Sequence, residues 1–187
     1  MVIKTIAKYE SRSAKRDSTV TGGMVGTPRV VCLLSSLSLG VFQFRIKQPL
    51  DNWSARYRGS VRYRLLGQHS LEDLIWGDVF VFQPIGCVRA LELIKILKVH
   101  GKRVVFEIDD LLTNLPDFMS HHRGTKREEQ ALLESIRLAD VVTTTTKRLA
   151  DQLRSLNSNV VCVPNCIAFI PDARAVHSDD HEEPVRL

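Results

Sequence analysis

Long apolar runs are scarce in this 187-residue chain: the longest, Val30 to Leu34, is strand length, against the roughly 18 to 20 residues that a membrane-spanning helix needs. The amino terminus spreads Lys4, Lys8, Arg12, Lys15 and Arg16 among Ser and Thr without the apolar core of a secretion signal, and it carries Glu10 and Asp17, which a transit peptide avoids. Glycine is thin where phosphate chemistry would need it. No Gly-x-Gly-x-x-Gly and no Walker lysine pattern occurs, which removes the two commonest nucleotide-binding readings of a small α/β domain. Cysteine is limited to Cys32, Cys87, Cys162 and Cys166. Three of these sit in apolar settings and none has a partner pair at zinc-site spacing, so reduced thiols are expected and Cys162-x-x-x-Cys166 matches a metal site only superficially.

What is present is ordinary globular composition, 44% hydrophobic and 25% charged, enough for about one domain. The net charge of +5 is unevenly spread. Residues 1–64 hold twelve Lys+Arg against three Asp+Glu, a balance of +9, and residues 65–187 hold fourteen against eighteen, a balance of −4. A basic third of this kind recruits phosphates, in nucleic acid, lipid headgroups or a pyrophosphate compound, and says nothing about fold.

Residues 1–28 are polar, punctuated by Gly22, Gly23 and Gly26, and aperiodic; they read as a flexible, basic, cytoplasmic leader. From residue 29 apolar runs alternate with helical patterns. Strands are expected at Val30–Leu34, within Gly59–Leu66, at Asp78–Phe82, Arg103–Glu107, Asp140–Thr144 and Val160–Val163. Helices are expected over Leu71–Ile75, from about Gly86 to Val99 with Gly101 as its stop, around Leu132, Leu133 and Ile136, and after a Thr146 cap. Strands apolar on both faces, alternating with amphipathic helices, define a Rossmann-like α/β fold: a parallel sheet with helices on both faces. Residues 29–171 form that domain. Residues 172–187, with five acids, read as an acidic linker.

Ligands in such sheets collect beyond the carboxyl ends of the strands, which directs attention to the loops. After the first strand, Arg45, Lys47 and Gln48-Pro49 read as the start of a helix, where backbone N–H groups and cations would together hold an anion; the plainer alternative is a solvated basic face. After the fourth strand, Glu107, Asp109 and Asp110 crowd three carboxylates into four residues. Such a cluster costs stability unless a cation, hydroxyl donors or substrate relieves it. Hydroxyls of a sugar would do so; an Asp109 that merely caps a helical turn is the alternative. His121-His122 follow, with exposed loop histidines as their ordinary reading. Thr143–Thr146 place hydroxyls at the next strand end, and Pro164-Asn165 close the last.

Together these segments resemble the N-terminal domain of GT-B nucleotide-sugar glycosyltransferases, in particular family-four-like bacterial enzymes that build surface polysaccharides or decorate glycans. The resemblance rests on Asp78–Gln83, on Gly101–Asp110, on Ala139–Thr146 with Leu149-Ala150, and on Asn159–Asn165, and it spans about residues 29–170. The family continues the Pro-Asn turn with a small residue, an aliphatic and an Asp, whereas Cys166-Ile167-Ala168 lacks that Asp. The resemblance implies the acceptor half of an enzyme that moves a sugar from a nucleotide sugar to a hydroxyl, with no metal or other cofactor, and with the donor bound by a C-terminal domain absent from this sequence. The chain is then expected to be truncated or split, and weakly active alone. Asp109 and Asp110 become the catalytic candidates, and Arg45, Gln48, Glu107, His121, Thr145 and Asn165 the acceptor- or anion-binding ones. The expected location is cytoplasmic, with peripheral attachment to anionic inner membrane as an added option. The competing reading is a non-catalytic module in which Arg56, Arg58, Arg62 and Arg64, interleaved with Trp53, Tyr57 and Tyr63, hold nucleic acid or anionic membrane. No recognised nucleic-acid motif supports it.

Overall fold

Four apolar segments become the central parallel strands because they are buried on both faces, and two less buried segments flank them. The computed structural model describes residues 26–37, 40–83, 87–110 and 125–165. Most of the expected leader, His121 and His122, Cys166 and the expected linker 172–187 lie outside those residues. The strands are β1 (Arg29–Leu34), β2 (Ser60–Leu65), β3 (Val79–Gln83), β4 (Arg103–Ile108), β5 (Val141–Thr144) and β6 (Val160–Cys162). They pair in the order β2-β1-β3-β4-β5-β6, every neighbour parallel. The helices are α1 (Gln48–Tyr57), which continues a π-helical turn at Phe42–Lys47, then α2 (Leu71–Trp76), α3 (Val88–Val99), α4 (Lys126–Leu138) and α5 (Lys147–Leu153). The Rossmann-like α/β class expected from the sequence is the one observed.

Alternation along the strands divides the core in two. Val31, Leu33, Phe80, Phe82, Val104, Phe106 and Val142 face a layer built by Ile94 and Leu97 of α3, Leu132 and Ile136 of α4, and Leu149 and Leu153 of α5. Val30, Cys32, Leu34, Val79, Val81, Val105 and Val141 face the other way, against Phe42, Ile46, Leu50 and Trp53. Fully burying a side chain of this size stabilises by roughly 1.5–3 kcal/mol, so both layers are needed to offset chain entropy. Gly101 stops α3 as expected, in the left-handed region at φ 68°. Capping boxes at Ser70/Asp73 and Thr125/Glu128 start α2 and α4, and Thr146 caps α5. In α4 the inward stripe is Ala131, Leu132, Ser135 and Ile136, with Leu133 only half-buried.

The amino-terminal edge of the sheet is pinned by two aspartates. Asp78 accepts from Arg29 Nε and Nη2 at 3.0 and 2.8 Å, tying β3 to β1. Asp140 accepts the Val104 N–H at 2.8 Å and pairs with Lys98 at 2.5 Å, tying the start of β5 to β4 and to the end of α3.

Two expectations need correction. Pro49 does not mark a helix start: helical backbone is already present at Gly40, and Arg45 and Lys47 lie inside the continuing π-helical turn, where the Gln48 N–H reaches back to the Gln43 carbonyl. A proline within a helix cannot donate to the fourth residue back and crowds that carbonyl; the wider turn accommodates it. No free helix amino terminus therefore exists at residues 45–49 to hold an anion. The stripe proposed for nucleic acid is also largely absorbed by the fold. Trp53 is in the core. Tyr63 packs edge-on against Phe42 and donates to Asp51 at 2.6 Å. Arg62 and Arg64 of β2 converge on the buried carboxylate of Asp73 at 3.0 and 2.9 Å.

Burial pushes the Asp73 carboxyl up, but Arg64, the Ser70 amide, Arg62 and the Ser70 hydroxyl together outweigh it and hold the group well below the usual carboxylate range. Asp73→Asn is expected to lower stability at pH 7 by about 2 kcal/mol, from the lost charged hydrogen bonds and weakened cap. Since the folded pKa lies below an unfolded value of about 3.9, that contribution is present above it and is lost as pH falls through the folded pKa. Urea unfolding should separate the two proteins at pH 7 and bring them together in acid; equal midpoints at pH 7 would refute the assignment.

Candidate functional site

Strand order reverses once. From β1 the chain passes to β2 on one side and then to β3 and the remaining strands on the other, so a crevice opens at the carboxyl ends of β1 and β3. Those ends are Leu34 and Gln83, paired in register, with Ile108, Thr144 and Cys162 following across the sheet.

A buried charge pair lies behind this edge. Glu107 is the fifth residue of β4, on the face that carries Val105, and its side chain is 3% exposed. Arg45, 4% exposed at its side chain, descends from the π-helical turn and places Nε at 2.7 Å and Nη2 at 2.6 Å from Glu107 Oε1. Thr143, the register partner of Glu107 on β5, donates its hydroxyl to Oε2. Arg45 Nη1 donates to the Val163 carbonyl and, at 3.1 Å, to Asn165 Oδ1. Burial pushes the Glu107 carboxyl up, against the pull of Arg45 and Thr143. Glu107 is thus a buried strand residue paired with a cation from the helical layer over its face, although the nearby Asp109 carboxylate still pushes its carboxyl up. Arg45, read as an anion binder, directs its donors to groups of this protein.

Asp109 and Asp110 do lie just past the end of β4, Asp109 half-buried and Asp110 exposed. The other described aspartates, Asp51, Asp73, Asp78, Asp140 and Asp151, each have an ion-pair partner. These two have none among the described residues. Thr145 donates its hydroxyl to the Asp109 carbonyl at 3.1 Å, fixing the loop after β4 to the loop after β5. The candidates Arg45, Glu107, Thr145, Asp109 and Asn165 are therefore linked by contacts or by adjacency at one edge. Gln48 lies in α1 with a buried, unpartnered Oε1.

Two residues outside the candidate set belong to this edge. Gln83 ends β3 beside the crevice with its Nε2 buried and unpartnered, and Thr144 ends β5 with a buried, unpartnered hydroxyl. An amide closing an otherwise apolar strand was the available signal for Gln83; Thr144 lies in the run Thr143–Thr146 read as strand-end hydroxyls, without being chosen from it. The three described cysteines are free, and burial pushes the Cys32 thiol up. Among the described residues no three of His, Cys, Asp and Glu gather as a metal site, and no helix is long and apolar enough to cross a membrane.

Fold and site together define a Rossmann-like α/β domain whose polar chemistry is concentrated at the carboxyl edge of the sheet. No family model and no curated protein matches the chain. Among solved structures it is similar to an α-glucosyltransferase in complex with UDP and a 13-mer DNA containing an HMU base, at 17% identity over 73% of this chain and 42% of that one, with a TM-score of 0.47. It is also similar to an α-glucosyltransferase in complex with UDP, at 16% identity over 78% of this chain and 43% of that one, with a TM-score of 0.46. The chain spans less than half the length of either.

Arg45→Met leaves Glu107 buried without its cation and is expected to cost about 3–5 kcal/mol. The orphaned carboxyl then takes up a proton, its folded pKa rising further above an unfolded value of about 4.3, so the variant should lose stability as pH rises between those two values. Arg45→Met combined with Glu107→Leu should recover most of the loss, because an apolar replacement of a buried pair is often neutral. Chemical denaturation at pH 5 and pH 8 checks both, and a double variant no more stable than Arg45→Met would contradict the pairing.

Proposed function

We propose that this chain is the acceptor-side domain of a glycosyltransferase that moves a sugar from a nucleotide sugar to a hydroxyl acceptor, in surface polysaccharide or glycan synthesis. The observation that carries the reading is the pair Asp109 and Asp110: in a domain where the other described aspartates are neutralised by a cation, these two have no ion-pair partner among the described residues at the carboxyl edge. A carboxylate there suits a hydroxyl acceptor, because it accepts the hydroxyl's hydrogen bond and turns the oxygen lone pair toward an incoming electrophile.

In the proposed step a bond forms between the acceptor oxygen and the anomeric carbon, and the bond from that carbon to the nucleoside diphosphate breaks, the electron pair leaving with the diphosphate. The hydroxyl proton passes to Asp109. Thr145 holds the Asp109 backbone. The motifs of this chain resemble those of the acceptor half, so donor binding is assigned to a second domain. The reading includes no metal.

Calorimetry of this chain alone with UDP- or GDP-sugars is expected to show no micromolar binding; micromolar affinity would move the donor site here. In the complete enzyme or one reconstituted from both halves, Asp109→Asn should reduce turnover at least about tenfold, equivalent to about 1.4 kcal/mol of transition-state stabilisation. Its melting temperature should be unchanged or slightly raised. Loss of stability with full activity would make Asp109 a helix cap and overturn the acceptor assignment.

A further inference from the structure

We propose that Arg45 is a latch on the strap that follows β6, and through it the positioning residue for Asn165 at the carboxyl edge of the sheet. One nitrogen, Nη1, ties both ends of the Val163-Pro164-Asn165 strap, taking the Val163 carbonyl and the Asn165 side-chain oxygen. The Val163 N–H is held as well, by the Thr144 carbonyl at 2.7 Å. Pro164 between them has a fixed φ and no N–H to offer a competing arrangement. The guanidinium is held in place by the Nε hydrogen bond to buried Glu107 and by the ion-pair contact of Nη2 with the same oxygen, while Thr143 engages the second oxygen.

The chemistry of this arrangement fixes how Asn165 presents itself. Arginine has donors only, so the Asn165 amide must turn Oδ1 inward. Its NH2 group is then on the exposed side of an exposed residue, and Asn165 meets a ligand as a hydrogen-bond donor, suited to the oxygen of a sugar hydroxyl. This deepens the proposed function and rests on it only for what the amide meets; the latch is tested without any substrate.

The test is hydrogen exchange by NMR on the full chain, free of ligand, with the Val163 amide read against the Phe106 amide of central β4 in the same sample. In Arg45→Lys the ammonium still neutralises Glu107 but lacks the fork that reaches both ends of the strap. Val163 exchange should rise at least about tenfold relative to Phe106, the effect of about 1.4 kcal/mol of local stability. An unchanged ratio overturns the latch, whether because both amides hold or because both accelerate together. Should Arg45→Lys fail to fold, Asn165→Ala removes a single exposed tie and should still raise the ratio severalfold, with no change again overturning the proposal. Asn165→Asp retains an acceptor for Arg45 and should keep the wild-type ratio. The side-chain NH2 of Asn165 should exchange freely with water in the wild type, and protection of it would place the amide the other way round and refute the donor assignment.

Discussion

A single buried ion pair organises the polar end of this domain. Removing a guanidinium and a carboxylate from water costs several kcal/mol per ion, repaid only when geometry is good and the remaining donors and acceptors are met. Arg45 and Glu107 come close to that condition by recruiting Thr143, Val163 and Asn165, with Arg45 Nη2 left near Glu107 Oε1 but without a hydrogen bond of its own. The consequence reaches beyond the pair. Glu107 and Thr143 are direct register partners, so a one-residue slip of β5 would turn Thr143 to the other face and leave a carboxylate oxygen unmet. The π-helical turn, β4, β5 and the strap after β6 are thereby fixed relative to one another by one charge.

Strands and layers were legible in the sequence because burial on both faces leaves a direct trace: Val30–Leu34, Val79–Phe82 and Val104–Phe106 are apolar without alternation. Caps were equally plain, since Thr146 and Gly101 act through their own neighbours. Glu107 was harder. A charged residue near the end of an apolar run looks like the beginning of a loop, and the cation that permits its burial is 62 residues away. Arg45 and Pro49 misled for the matching reason: proline is common in a first helical turn, and nothing local announces a π-helical turn that carries the helix through it. The position of the crevice followed from topology, whereas which groups near it are already satisfied is a tertiary fact.

The aspartates illustrate how position in the sheet decides meaning. Asp78 and Asp140 belong to segments as characteristic as the one containing Asp109, yet both lie at the amino edge, where they hold strand starts through Arg29, Lys98 and the Val104 amide. Asp109 and Asp110 lie at the opposite edge, past the last residue of β4. Their chemical type is the same. Among the described residues, cations converge on the first pair and none pairs with the second, which is why the second stands out as a place for something other than structure.

The two Arg–Asp73 pairs on β2 also bear on how copies of this chain behave toward each other. Within the described residues β2 and β6 are the outer strands of the sheet, and an outer strand offers unpaired N–H and C=O groups to any other extended chain. β6 is three residues long and offers little. β2 is six residues long, but alternate positions carry Arg62 and Arg64, bulky cations anchored by Asp73 and, for Arg62, stacked 4.2 Å from the Trp76 ring. Two such strands laid side by side would bring like charges into register. The same guanidinium groups that hold the first turn of α2 therefore make this margin a poor template for intermolecular strand addition.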